Sequence, residues 1–401
     1  MEWVIKPLGE LVTFERGLTY SKSDEAEYSS NGVLRSNNVD LETNSLNLGE
    51  IKYLNADFII PSSKKVVRNS LLMCMSNGSK SHLGKVALIE DDLDYAFGGF
   101  MGLLKPIETV ILPRYLYYSL ISPAYKKHIQ SLSDGANINN LKYKDLSVFP
   151  VMLPMSLSEQ QRIVDILDAE FAKIDALKEN TEKNLQNAKD LFQAVLRKEL
   201  EPKDGWDEKT LKQIGVTQTG TTPKTSEKNN YGDYIPFIKP ADINVDGLGG
   251  LNYENEGLSR LGAQKGRIFT ANSVLMVCIG ATIGKVGFST KEVSSNQQIN
   301  ILSPYKDNCK YIYYCMASPK FQQEVIKEGE SAKATLPIIN KSKWENLKIH
   351  IPPLSVQNQI VDILDTLSAK CKSLQGNYDK TATLCSVLKQ ALLRKAFNGE
   401  L

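Results

Sequence analysis

Ser158-Glu159-Gln160-Gln161-Arg162-Ile163-Val164-Asp165-Ile166-Leu167-Asp168 returns 197 residues later as Ser355-Val356-Gln357-Asn358-Gln359-Ile360-Val361-Asp362-Ile363-Leu364-Asp365. The core Ile-Val-Asp-Ile-Leu-Asp is identical in the two copies. Upstream, Leu153-Pro154 matches Ile351-Pro352, and Tyr115-Leu116-Tyr117-Tyr118 matches Tyr311-Ile312-Tyr313-Tyr314. Ser70–Met73 leading to Gly84-Lys85-Val86 matches Ser273–Met276 leading to Gly284-Lys285-Val286, and Val33-Leu34-Arg35 pairs with Phe237-Ile238-Lys239. The matches keep their order, so the 401 residues are one unit of about two hundred residues taken twice.

Each copy has two parts. Residues 1–155 and 202–353 contain short β-like runs broken by Gly, Pro, Asn and Ser, with one Tyr-rich helix apiece at 113–121 and 309–317. Residues 156–201 and 354–401 read as long helices without internal proline. The second helix repeats Ile360, Leu364, Leu367, Cys371, Leu374, Tyr378, Thr381, Cys385, Leu388 and Leu392 at alternating steps of four and three, a heptad seam. The matching first-helix seam carries Ile163, Leu167, Ile174, Leu177, Leu191 and Val195, with polar Glu170 and Asn184 interrupting it. Phe171, Leu185 and Phe192 widen its apolar stripe.

The expected fold is α+β: two β-rich domains separated by a pair of long antiparallel coiled-coil helices, with pseudo-twofold repeat symmetry. The 38 residues from Ser355 to Leu392 would extend roughly 57 Å at 1.5 Å per residue.

Composition narrows the function class. There are 48 Lys+Arg against 46 Asp+Glu, 42% apolar residues and 23% charged ones, which is ordinary globular composition. No apolar run of 18 residues and no signal-like N-terminus is present, so a cytoplasmic protein is expected. The six cysteines lack CxxC spacing and read as reduced thiols. His82, His128 and His350 pair at neither metal-ligand nor catalytic spacing.

The two Gly-Lys stretches, 78–86 and 280–286, fail as phosphate loops. Their glycine gaps are five and three residues instead of four, and valine follows the lysine where Ser or Thr would hold magnesium. They read as hairpins. Binding is favoured over catalysis, and no metal site is expected.

The duplicated Leu/Ile-Pro…Leu-Ser-x-Gln-x-x-Ile-Val-Asp-Ile-Leu-Asp segments, the helix ends at 196–200 and 393–401, and Trp206 after the first helix together resemble the specificity subunit of type I restriction–modification systems. The resemblance covers the whole chain. It implies two target recognition domains (1–155 and 202–353) and two spacer helices (156–201 and 354–401). It further implies a non-catalytic subunit that reads a split, asymmetric site in double-stranded DNA. Two modification (methyltransferase) subunits and two restriction (ATP-dependent translocase/nuclease) subunits would be its partners. It implies no cofactor on this chain; S-adenosylmethionine, ATP and magnesium would belong to the partners.

Phosphate and base contacts draw on Lys, Arg and side-chain amides. The expected DNA contacts in the first domain are Arg35, Lys64, Lys65, Arg68, Asn77, Lys80, Ser81, His82 and Lys85. In the second they are Lys239, Thr282, Lys285, Asn296, Gln297 and Gln298. An alternative with the same architecture is a helical adaptor that recognises protein and reads no DNA sequence.

Overall fold

The computed structural model describes residues 2–134, 140–245, 247, 249–330 and 337–401. The chain divides into two compact units: Met1–Asn180 with Lys380–Leu401, and Thr181–Asp379. Each contains one β-rich domain, the start of its own long helix and the end of the other.

In the first unit, strands β1 (Trp3–Pro7), β2 (Val12–Arg16), β3 (Glu25–Ala26), β4 (Asn31–Leu34) and β5 (Lys52–Leu54) come first. They are followed by β6 (Leu71–Cys74), β7 (Val86–Leu88), β8 (Ala96–Phe97), β9 (Met101–Pro106) and, after three helices, β10 (Pro150–Pro154). Those helices are α1 (Pro113–Ser119), α2 (Pro123–Asp134) and α3 (Tyr143–Ser147). An antiparallel sheet runs β2-β9-β6-β7, a mixed sheet runs β3-β5-β4-β8, and β1 pairs with β10. The central strand β6 is Leu-Leu-Met-Cys, buried at every position because both of its faces are covered.

The second unit repeats this plan. Its strands are β11 (Asp207–Thr210), β12 (Gly215–Thr219), β13 (Tyr231–Ile238), β14 (Gly257–Leu258), β15 (Val274–Val277), β16 (Val286–Phe288), β17 (Ser294–Ser295), β18 (Ile299–Pro304) and β19 (Lys348–Ile351). The antiparallel sheet β12-β18-β15-β16 matches β2-β9-β6-β7 strand for strand. The parallel pair β13/β17 matches β4/β8, and β11/β19 matches β1/β10. Both Gly-Lys stretches connect antiparallel strands, β6 to β7 and β15 to β16, as expected of hairpins.

The long helix of the first copy is preceded by α1–α3 and spans Leu157–Glu199 (α4). Short helices α5 (Leu211–Ile214) and α6 (Arg260–Lys265) follow, then α7 (Cys309–Ala317), α8 (Pro319–Glu330), α9 (Lys341–Glu345) and the second long helix α10 (Leu354–Ala396). Each long helix runs 43 residues.

The repeated motif shows why its polar residues are there. Gln160 is fully buried; its Nε2 donates to Val110 and Pro154 carbonyls at 3.0 Å, and its Oε1 accepts from Leu112 N at 2.9 Å. Gln357 repeats this with Pro352 O (2.9 Å), Asp307 Oδ1 (2.8 Å) and Asn308 N (2.8 Å). One amide thus closes three backbone or carboxylate groups at the junction of strand end, Tyr-rich helix and long helix. Two turns on, Asp168 accepts from Arg114 Nε at 2.8 Å and from the Tyr118 hydroxyl. Asp365 accepts from Lys310 Nζ at 2.5 Å and from Tyr314 at 2.7 Å. Tyr115 and Tyr311 donate to the carbonyls of Met152 and His350 at 2.9 and 2.7 Å.

Within each unit the helix segments lie antiparallel. In the first, the Cys385 thiol donates to Ile174 O at 3.7 Å, and Lys389 pairs with Asp175 at 2.5 Å while lying over the Phe171 ring. Arg162 reaches Leu401 O at 2.9 Å. In the second, Cys371 donates to Ala188 O at 3.4 Å and Lys189 to Gln375 at 3.1 Å. Ile163, Val164 and Leu167 share a core with Leu393 and Ala396; Ile360, Val361 and Leu364 share one with Leu196.

Part of the expected seam is displaced by one residue. Leu177, Leu191 and Leu388 are about half exposed, whereas Leu185 is buried and Phe192 and Lys389 turn inward. The inward face of α4 runs Leu167, Phe171, Ile174, Lys178, Thr181, Leu185, Ala188, Phe192 and Val195. Ile163 and Ile174, with Ile360 and Leu364, are buried as expected, and Val195, Leu367, Leu374 and Leu392 are half-buried. The displacement arises because a heptad stripe is fixed at one position per turn pair, here Leu167, Ile174, Thr181, Ala188 and Val195. The intervening knob can fall on either of two adjacent residues. Phe171 and Leu185 take that place; Asn184 is exposed and Glu170 half-exposed, paired with Lys173.

Two outcomes follow for urea unfolding. Gln160→Ala leaves Leu112 N–H and two carbonyls without partners and costs about 2–3 kcal/mol, while Gln161→Ala beside it stays within about 0.5 kcal/mol. Leu185→Ala costs about 2–4 kcal/mol, whereas Leu191→Ala changes stability by less than about 0.5 kcal/mol; equal effects at 185 and 191 would contradict the observed register.

Candidate nucleic-acid interface

A cleft of about 1130 Å³ opens in the first unit where several loops converge. It is walled by the exit of β2 (Arg16, Tyr20), the turn after β4 (Arg35, Asn37), the β6–β7 hairpin (Asn77, His82), the Gly98–Met101 loop, and Lys142 and Tyr143 at the start of α3.

Arg35 is held by a buried asparagine. Its N–H donates to Asn38 Oδ1 at 2.8 Å, and Asn38 Nδ2 in turn donates to the carbonyls of Asn47 and Glu50 at 2.8 Å. The guanidinium Nε is buried without a partner among the described residues, and Nη2 lies 3.5 Å from the exposed Glu50 carboxylate. Arg35 therefore presents donors to the cleft on a fixed backbone. Lys239 occupies the same place in the second unit: its N–H donates to the buried Asp242 at 2.9 Å. Its ammonium pairs with Glu256 and lies 5.9 Å from the Phe237 ring centroid.

Two of the cleft-lining residues, Asn77 and Lys85, also make internal bonds. Lys85 is buried, and its Nζ donates to Val39 O at 2.6 Å, bracing the hairpin against the β4 turn. Burial holds its ammonium below the ordinary lysine value. Lys285 makes the equivalent bond to Pro240 O at 3.3 Å and is half-buried. Through these bonds Lys85, which also lines the cleft, and Lys285 brace their hairpins against the neighbouring turn. Asn77 spends its amide internally, donating to Ser36 Oγ at 2.7 Å and accepting from Ser79 N at 2.9 Å.

Lys64 pairs with Glu15 at 2.6 Å and also donates to Arg16 O; Lys65 pairs with Asp94. Neither they nor the exposed Arg68 line the cleft. Lys80 and Ser81 form, with His82, the helical turn at the hairpin tip, with Ser81 exposed. Thr282 is exposed in the matching hairpin.

Asn296, Gln297 and Gln298 form the loop between β17 and β18. Gln297 is exposed and accepts from the Thr222 hydroxyl; Asn296 Nδ2 donates to Gln298 Oε1 at 2.8 Å. Arg267, absent from the expected set, donates to Thr219 O at 2.6 Å close to this loop. In the first unit Arg16, Tyr20, Phe100, Lys142 and Tyr143 were likewise absent. A basic residue ending a strand and an aromatic between glycines carry no motif that marks them; only folding gathers them. Tyr143 is positioned by donating to Glu15 O at 2.9 Å and by its ring contact with Phe14.

The cleft of the first unit is lined by basic, amide and aromatic side chains. Among the described residues no three His, Cys, Asp or Glu side chains cluster as metal ligands. Its assets are donors on rigid turns, amides and aromatic faces, which suit recognition of nucleic acid.

A duplicated β-rich reader with polar loops at one site per copy and a long spacer helix after each defines a recognition subunit. The chain belongs to the type I restriction modification DNA specificity domain family, whose model matches residues 1–187 and 203–380. Among its relatives are the StySPI specificity subunit of Salmonella potsdam and the EcoKI specificity subunit of Escherichia coli K12. Each is 26% identical, with the match covering 100% of this chain and 89% of the relative. A chain solved in work on complex assembly and conformational transition of the type I R-M system superposes with a TM-score of 0.76 at 19% identity, covering 100% of this chain and 98% of that one. The HsdS subunit of Thermoanaerobacter tengcongensis does so at 0.59, also with 19% identity, covering 100% and 97%. Specificity subunits of this family recognise DNA sequence and are not themselves catalytic.

The His82 ring gives a local check on the cleft. Burial, and secondarily the Lys85 charge, hold its pKa below 6.5. In an NMR titration His82 should titrate below an ordinary exposed histidine, and Lys85→Met should raise its midpoint only part of the way. A midpoint above 6.5 would mean that the hairpin leaves the ring in water.

Proposed function

We propose that the chain reads a bipartite, asymmetric DNA target, one half through each β-rich domain, and presents it to modification subunits for adenine methylation. The observation that carries this reading is that one loop framework is built twice with different side chains. Arg35 and Lys239 stand on equivalent turns braced by buried Asn38 and Asp242, and Lys85 and Lys285 are equivalent struts. Around them the groups available to bases differ, as two unlike half-sites require. In the first domain Arg35 is a base-reading candidate, and Arg16 and Lys142 at the cleft mouth suit phosphates. In the second, Lys239, Arg267 and the amides at 296–298 take these roles.

Two modification subunits bound along the spacer helices would supply S-adenosylmethionine chemistry, and two restriction subunits would add ATP- and magnesium-dependent steps, all in a prokaryotic cytoplasm. The subunit's own charge fits dependence on partners. Residues 1–155 carry 16 basic and 17 acidic side chains, and residues 201–353 carry 19 and 16. Such near-balance gives little nonspecific grip on duplex DNA. No described helix is long and apolar enough to cross a membrane.

The test is to produce the chain with its cognate modification subunit and map methylated adenines. A single split motif with a fixed gap is expected, with affinity falling steeply as salt rises. Arg16→Ala and Lys142→Ala should each lower the salt slope by roughly 0.9 without changing the motif, whereas Lys65→Ala should leave it unaltered. Methylation without a fixed split motif, or affinity indifferent to salt, would instead fit the protein-recognising adaptor.

A further inference from the structure

The loop between the last two strands of the recognition core holds a chemical asymmetry. In the first domain it is Gly98-Gly99-Phe100; in the second it is Asn296-Gln297-Gln298. Backbone bonds show that the two are the same loop. Gly17 N donates to Met101 O at 3.1 Å, and Gly220 N to Ile299 O at 3.0 Å. Leu18 N donates to Phe97 O at 2.7 Å, and Thr221 N to Ser295 O at 2.9 Å. Met75 N and Ser76 N donate to Phe100 O at 2.9 and 3.1 Å, and Cys278 N donates to Gln298 O at 2.8 Å. Phe100 and Gln298 therefore occupy one structural position.

Phe100 is 71% exposed on the cleft wall although its backbone is pinned twice. The two preceding glycines give its ring no shielding side chain, and a Cβ on Gly99 would lie 3.3 Å from Leu18 O. A solvated aromatic on the cleft wall that Arg35 also lines has no role in the domain's own core. Its apolar surface is available to whatever enters the cleft.

Resting on the DNA-reading assignment above, we propose that Phe100 determines specificity at the first half-site by apolar contact with a thymine C5-methyl group in the major groove. The paired loop supplies the reason for an edge contact. Beyond their internal bonds through Oε1, Gln297 and Gln298 keep amide donors that can address base edges, and the same position in the first domain meets the same part of its own half-site. The apolar feature that base edges display in the major groove is the thymine methyl. Insertion between base pairs, the other use of an aromatic, belongs mainly to minor-groove proteins.

The experiment uses the complete complex of this chain with its modification subunits. Its probes are duplexes carrying the mapped motif, with deoxyuridine replacing each thymine in turn. One thymine of one half-site should show about a fourfold loss of affinity on demethylation, the partition gain of one methyl group. Phe100→Ala should bind thymine and uracil equally there, Phe100→Leu should keep part of the difference, and Gln298→Ala should leave that difference intact. The proposal is overturned if no thymine is sensitive, if Phe100→Ala keeps the discrimination, or if Phe100→Ala weakens all duplexes alike, as a wedge would. A wild-type complex that methylates without any fixed motif fails earlier, at DNA reading itself, and is thereby told apart.

Discussion

Each long helix begins on a buried glutamine amide that belongs to three elements at once. Gln160 joins the end of β10, the segment entering α1 and the first turn of α4; Gln357 joins the corresponding parts of the second unit. A buried primary amide tolerates little displacement, because each unmade bond exposes a desolvated backbone group. The carboxylates two turns later, Asp168 and Asp365, tie the same helix face to a tyrosine and a cation of the Tyr-rich helix. Together they fix the direction in which each helix leaves its domain. The placing of every recognition loop relative to that helix follows from this junction.

The same junction explains how much could be read before folding. An exact repeat of Ile-Val-Asp-Ile-Leu-Asp needs no energetic argument to be noticed, and it located both helices, the strands ahead of them and the Tyr-rich helices. Hairpins at Gly84-Lys85 and Gly284-Lys285 followed from glycine spacing and flanking apolar runs. The seam was harder in the first helix, where carrying over the spacing of the second pointed to Leu177 and Leu191, which are exposed. Polar Glu170 and Asn184 in the first helix marked the error, with Phe171 and Leu185 beside them.

The recognition surface was legible only in part. Arg35 lines the first cleft, and the matched lysines at 85 and 285 are tied to carbonyls. A lysine's role depends on whether a carbonyl lies within reach, and Val39 O and Pro240 O come there only through tertiary pairing. Lys64, Lys65 and Lys239 already hold carboxylates, whose approach sequence distance conceals. Phe100 escaped notice for the opposite reason. Beside strand residues it resembles one more core side chain, and nothing local says that its ring points outward.

The way the Phe100/Gln298 position is held has a consequence for change over time. Its tethers run to main-chain oxygen, so they are indifferent to the side chain above them. Replacing Phe by Gln, Asn or Leu there removes no bond and opens no cavity, unlike a change at Gln160 or Lys85. New recognition chemistry can be sampled at this position with stability nearly constant, one domain at a time. The fold thus keeps its mutational fragility and its freedom to diversify in different places.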